Sequence, residues 1–123
     1  ELGGAKLQKA ILLHVNLKHA ALVSAFLQKA NLQNAILTNA DLKNANLQNA
    51  DLRDATLSET ILIGANLQET DLRGVDLRRA IWQKTRGGSP EESDADFGGA
   101  RYSASTKFPL GFDRKKFDMK EEE

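Results

Sequence analysis

Leucine falls on every fifth residue from Leu7 to Leu77, fifteen positions without exception. Two residues before each leucine stands a small residue: Ala at eleven positions, Val at Val15 and Val75, Thr at Thr60 and Thr70. The other three positions of each unit are mostly Asn, Asp, Gln, Lys, Arg and Ser. Ala, Leu, Lys and Gln are good helix formers, but the period excludes a helix. Five residues at about 100° each leave a net rotation of about 140°, so the leucines would spiral and form no stripe. A straight strand fails as well, because an odd step sends successive leucines to opposite faces. What survives is a short extended piece followed by a corner, repeated. The small residue and the leucine, two apart, then share one side. With that side inward, the chain closes into a solenoid whose units bury their apolar side by stacking.

Ala40-Asp41-Leu42-Lys43-Asn44, Ala45-Asn46-Leu47-Gln48-Asn49 and Ala50-Asp51-Leu52-Arg53-Asp54 resemble the pentapeptide-repeat proteins, whose signature is A-(D/N)-L-x-x. The resemblance covers residues 1–84 and resumes at 95–104. It implies an all-β fold, a right-handed quadrilateral β-helix with four pentapeptides per coil. Residue spacing supports four sides independently. Gln8, Gln28, Gln48 and Gln68 are twenty apart and would stack into a ladder with amide-to-amide hydrogen bonds. The expected organisation is a β-helix over 1–84, a loop at 85–94, two further units at 95–104, and a C-terminal cap and tail at 105–123. Leu27, Leu47 and Leu67 are expected in the core.

The informative places are those that break the metre. Ile11, Leu13 and Val23 fall in outward slots of the first coil, and Phe26 follows in the next. Ile61 and Ile63 interrupt the polar exterior, and Ile81 would stack above Ile61. These seven form the candidate interaction surface, with the chain's own C-terminal segment as an alternative cover for the Ile61 face. Asn34, Asn39, Asn44 and Asn49 recur in one slot, where Asn tolerates unusual turn dihedrals. Thr85 to Asp94 is rich in Gly, Ser, Pro and acid and reads as a loop that bulges from the coil or replaces two of its sides. Trp82, Phe97 and Tyr102 take leucine slots, so aromatics are expected to close the column. Phe108, Leu110, Phe112 and Phe117 supply further apolar area there. Asp113 is placed to cap a short helix through Phe117, with Lys120 to Glu123 fraying. The stretch Tyr102 to Asp113 resembles the segment that follows the repeats in many cyanobacterial pentapeptide-repeat proteins, which implies a cyanobacterial or plastid lineage.

Composition narrows function by exclusion. Lys plus Arg equals Asp plus Glu, and there is no Cys, hence no disulfide framework or cysteine metal site. No apolar run approaches a membrane span. His14 and His19 read as solvated side chains and not as a metal pair. No catalytic or phosphate-binding motif is present, and a core packed with Leu and Ala leaves no room for substrate. The expectation is a non-catalytic module that binds an unknown protein partner, without cofactor, nucleic acid or membrane insertion, and with a homodimer through a solenoid end as one form of contact. The alternative comes from relatives that mimic DNA and bind DNA gyrase. Such mimicry needs an acidic surface, and zero net charge disfavours it. The cytoplasm is the expected compartment. The chain begins at Glu1 with Leu2 already in phase, which suggests preceding residues; a signal there would direct it to the thylakoid lumen or periplasm.

Overall fold

Parallel bridges join residues twenty apart, and they build four ladders. The computed structural model describes residues 1–88 and 92–123. The first face stacks Lys6, Phe26, Asn46, Asn66 and Asp96; the second stacks Ile11, Asn31, Asp51, Asp71 and Arg101. The third stacks Asn16, Ile36, Thr56, Asp76 and Lys107; the fourth stacks Ala21, Asp41, Ile61 and Ile81. Each side of the coil is so short that only its central residue forms a bridge before the next corner. The fold is therefore a four-sided β-solenoid built almost wholly from single bridges.

The unit Ala45 to Asn49 shows why five residues suffice. Asn46 N–H donates to Ala25 O in the coil below, while Leu47 N–H and Asn49 N–H donate to Asn66 O and Gln68 O above. Ala50 N–H returns to Leu47 O and closes the corner at 2.9 Å. The residue before it, Asn49, has φ 60°, the left-handed value that a type II turn demands at its third position. Asn34, Asn39 and Asn44 share this conformation at 58°, 59° and 58°, as the reading of their turn role anticipated.

One N–H per unit is left over, that of the residue after leucine. Its partner explains the Asn/Asp preference of the repeat. Gln48 N–H donates to Asn46 Oδ1 at 3.1 Å. The same bond recurs at Asn16, Asn31, Asp41, Asp51, Asn66, Asp71, Asp76 and Asp96. These are Asx turns that complete the backbone's hydrogen bonding. Asn46→Ala is expected to cost about 0.5–1.5 kcal/mol through that lost bond. Asn46→Asp should retain most of it. Urea titration of the two variants checks this, and equal losses would remove the Asx turn from the account.

The inward column is continuous. Leu27, Leu47 and Leu67 are at most 1% exposed, and the intervening small residues are buried with them. Thr60 and Thr70 fit the small slot because their hydroxyls donate to Leu37 O and Leu67 O at 2.7 and 2.8 Å. In the first coil Leu7, Leu12, Val15 and Leu17 are only partly buried. The glutamines do stack in register, but their amides do not bond one another among the described residues. Gln68 Nε2 instead donates to Asp96 Oδ2, and Gln28 Oε1 has no partner.

Register also resolves the insertion. Ile61 pairs with Ile81, twenty on, while Asn66 pairs with Asp96, thirty on. The ten extra residues thus leave and re-enter at one corner, bulging outward and replacing no side. Ala95 N–H donates to Trp82 O at 2.7 Å, the ordinary corner bond with the insertion held inside it. Within it, Lys84 N–H and Thr85 N–H donate to Asp94 Oδ1 and Glu92 Oε2. Residues 89–91 of the expected loop lie outside the described residues. Pairing continues past Tyr102 to a bridge between Asp76 and Lys107, thirty-one apart. Thr106 fills the small slot there, with its hydroxyl donating to Leu72 O.

Aromatics close the top. Phe97 is fully buried, with ring centroids 6.0 Å from Trp82, 5.3 Å from Phe112 and 5.4 Å from Phe117. Trp82 and Tyr102 are half-buried. Tyr102 meets Phe108 edge-on, and the Arg114 guanidinium sits over its ring. Leu110 does not join them; it is fully exposed. The expected helix after Asp113 is replaced by a single turn. Asp113 Oδ1 accepts from Lys115 and Lys116 N–H. Met119 N–H already returns to Arg114 O and Asp118 N–H to Lys115 O, with Asp118 at φ 50°. This closure has the bonding of a Schellman C-cap, so both caps meet across one turn and no helix can propagate. Nor does the tail fray: β1 (Arg101–Tyr102) and β2 (Lys120–Glu121) pair in parallel.

Candidate interaction surface

The central outward residue of each side has two uses. As Asn or Asp it closes its own turn; as an apolar residue it gives up that bond. Ile11, Phe26, Ile36, Ile61 and Ile81 all stand in this slot. Ile11 is 80% exposed, Phe26 40% and Ile81 45%, with Leu13 at 45% two residues beyond Ile11. Ile36, at 38%, belongs with them; sequence reasoning missed it, although its slot matches that of Phe26.

The seven expected residues do not form one patch. Ile11 and Leu13 lie on the second face of the first coil, and Phe26 lies on the first face of the second coil. The corner between these faces carries Lys9 and Lys29, one above the other, both exposed. Val23, Ile61, Ile63 and Ile81 belong to the fourth face, where Asp41 separates the two ends. Ile63 is only 6% exposed. The insertion runs beside it: Ser93 Oγ lies 3.7 Å from where a Cβ on Gly64 would sit. The Ile61–Ile63 side is thus flanked by the chain's own insertion, while the Ile11–Leu13–Phe26 side is open.

Charge is distributed along the axis. Residues 2–40 contain Lys6, Lys9, Lys18 and Lys29 and no Asp or Glu. Acidic residues begin at Asp41, and many are paired. Arg53 lies 2.7 Å from Asp51 and 3.7 Å from Asp71, and Arg101 is also 3.7 Å from Asp71. Arg73 and Arg78 each donate to the aspartate two residues earlier. What reads in sequence as a solvated charged face is an ordered ion ladder, and its Asp71 is 3% exposed. The available signal was the Asp-Leu-Arg triplet, which puts both charges on one side of the same strand.

Burial pushes the Asp71 carboxyl up, but hydrogen bonds from Arg73, with the Arg73 and Arg101 charges, hold it below the ordinary 3.8. The side-chain bond from Arg78 chiefly draws Asp76 down to about 2. A carboxyl depressed in the folded state stabilises above its unfolded value, and that stability is lost as pH falls through the folded value. Thermal stability should therefore fall from about pH 4 downward. Asp76 is half exposed and screened by solvent, so Asp71 dominates. Melts across this range should be flatter for Asp71→Asn, which keeps the Asx acceptor; an unchanged slope would remove Asp71 from the acid response.

Thirteen non-glycine residues adopt positive φ. His14 and His19 are among them, exposed at successive corners. Among the described residues no cluster of three or more His, Cys, Asp or Glu is arranged to hold a metal. No helix is long and apolar enough to cross a membrane.

A family model described as pentapeptide repeats matches residues 1–39 and 40–79, in eight copies. A pentapeptide repeat protein from Nostoc PCC 7120 is 27% identical, with a TM-score of 0.60 over 95% of this chain and 84% of that one. A pentapeptide repeat protein from the Arabidopsis thaliana thylakoid lumen is 24% identical, with a TM-score of 0.51 over 95% and 72%. QnrB1, a plasmid-mediated fluoroquinolone resistance protein, is 16% identical, with a TM-score of 0.52 over 98% and 66%. The last two show a shared fold alone. No curated protein sequence gives a significant match.

Proposed function

Because the chain belongs to the pentapeptide-repeat family, we propose that it is a non-catalytic scaffold that presents a contact surface to another protein. The observation that carries this reading is the exposure of Ile11, Leu13 and Phe26. Ile11 and Phe26 stand where the fold itself favours Asn or Asp, so the solenoid gains nothing from them. Aromatic and aliphatic side chains are the anchors that protein interfaces use. The reading assigns the protein no cofactor, nucleic acid or membrane insertion. It places the protein in the cytoplasm, with the thylakoid lumen or periplasm as the alternative.

Gyrase mimicry finds less support. The carboxylates of Asp51, Asp71 and Asp76 are neutralised by neighbouring arginines, and a phosphate mimic needs free ones. Affinity capture from the native host, followed by identification of the bound protein, tests the proposal. The same partner should be lost with Ile11→Ser/Leu13→Ser/Phe26→Ser, whose melt should match the parent. Capture indifferent to this variant would overturn the surface, and potent inhibition of gyrase supercoiling would overturn the class.

A further inference from the structure

We propose that the open side of the first coil, from Lys6 to Leu13, takes up an extended acidic polypeptide segment from a partner by strand addition. This rests on the contact-surface reading above and names the chemistry of what binds there. Three observations converge on one corner. Phe26, Ile11 and Leu13 are exposed around it. Lys9 and Lys29 stack on it, and Lys6 pairs beside Phe26. Leu7 and Leu12, which point into the column, are only partly buried.

Backbone chemistry decides which class of partner fits. In interior coils every side is bonded above and below; Leu27 and Lys29 N–H, for instance, reach Asn46 O and Gln48 O. At the outer edge of the first coil, Lys6 and Ile11 N–H have no backbone acceptor among the described residues. The carbonyls of Lys6, Gln8, Ile11 and Leu13 likewise receive no backbone N–H. Carbonyl acceptors thus outnumber N–H donors along this edge. An anionic lipid headgroup brings more acceptors and meets repulsion. A polypeptide strand brings both kinds of group in the spacing that the next coil already uses. Its alternate side chains would divide as they do within the column, apolar ones over Leu7 and Leu12 and outward ones beside the lysines. With no Asp or Glu in residues 2–40, carboxylates on those outward positions are the complementary choice.

The experiment titrates the 123-residue protein with a synthetic peptide of alternating Leu and Glu long enough to span two sides of a coil. Comparison probes are the Leu/Lys counterpart, the Leu/Glu peptide with alternate amides N-methylated, and phosphatidylglycerol vesicles. The Leu/Glu peptide should bind, and Lys9→Glu/Lys29→Glu should weaken it by at least about tenfold. N-methylation should abolish binding, and the Leu/Lys peptide should not bind. The double variant will fold, because Glu59 and Glu69 already occupy equivalent corners at φ 58° and 57°. Binding that ignores peptide charge or the two lysines, survives N-methylation, or appears only with vesicles overturns the inference. No binding at all does the same. The contact-surface reading stands or falls separately, on whether the Ile11, Leu13 and Phe26 variant loses its captured partner.

Discussion

Leu47→Asp is expected to unfold the entire column. Leu47 has no exposed surface, and Leu27 and Leu67 occupy the same slot in the coils below and above. A carboxylate there must be desolvated with no partner in reach, since its surroundings are Leu and Ala. Such burial exceeds the ~4–5 kcal/mol that marks the far end of single substitutions, against a total stability of about 5–15 kcal/mol. Each coil is held by its neighbours alone, so a defect in a middle coil divides the stack into pieces too short to bury their leucines. Far-UV circular dichroism should show loss of the whole signal. Asn49→Asp, two residues away at an exposed corner, should change stability by no more than about 0.5 kcal/mol. A partial loss in Leu47→Asp, with the remaining signal melting cooperatively, would refute the single stacked core.

Phe97→Ala is the second large effect. The ring is fully buried among Trp82, Phe112 and Phe117, and deleting it should cost about 3–5 kcal/mol. The chain has a single Trp, so Trp82 emission reports on this cap alone. It should shift to the red in the variant as water enters beside the indole. Phe97→Leu restores the residue that the repeat uses elsewhere and should cost less than about 1.5 kcal/mol. Unchanged emission and melting in Phe97→Ala would mean that the aromatic cluster sits on the column without sealing it.

The fold was legible because the period leaves so few geometries. Leucine at every fifth position rules out both regular structures, and the Gln spacing gives the coil length. The reason for Asn or Asp before leucine was not visible in the pattern, because polar and outward was already explanation enough. Only the position of Asn46 Oδ1 against Gln48 N–H distinguishes a tolerated polar residue from a required acceptor. The cap misled for a related reason. Asp113 is a good helix start, but the stop at Asp118 depends on backbone closure with Arg114 and Lys115, which composition does not announce. The candidate surface was legible residue by residue. Its division was not, because whether Ile63 faces solvent depends on the path of the insertion beside Gly64.

That insertion enters and leaves through one corner bond, Ala95 N–H to Trp82 O, while the next face resumes its ladder at Asp96. Chain length and column height are therefore independent variables in this protein. Sequence added at this corner lengthens the gene without adding a rung, and a segment of different size or chemistry grafted between Trp82 and Ala95 leaves the stacking arithmetic untouched. The corner is a port in an otherwise closed code, where lineages can diverge in what they display while sharing one column beneath.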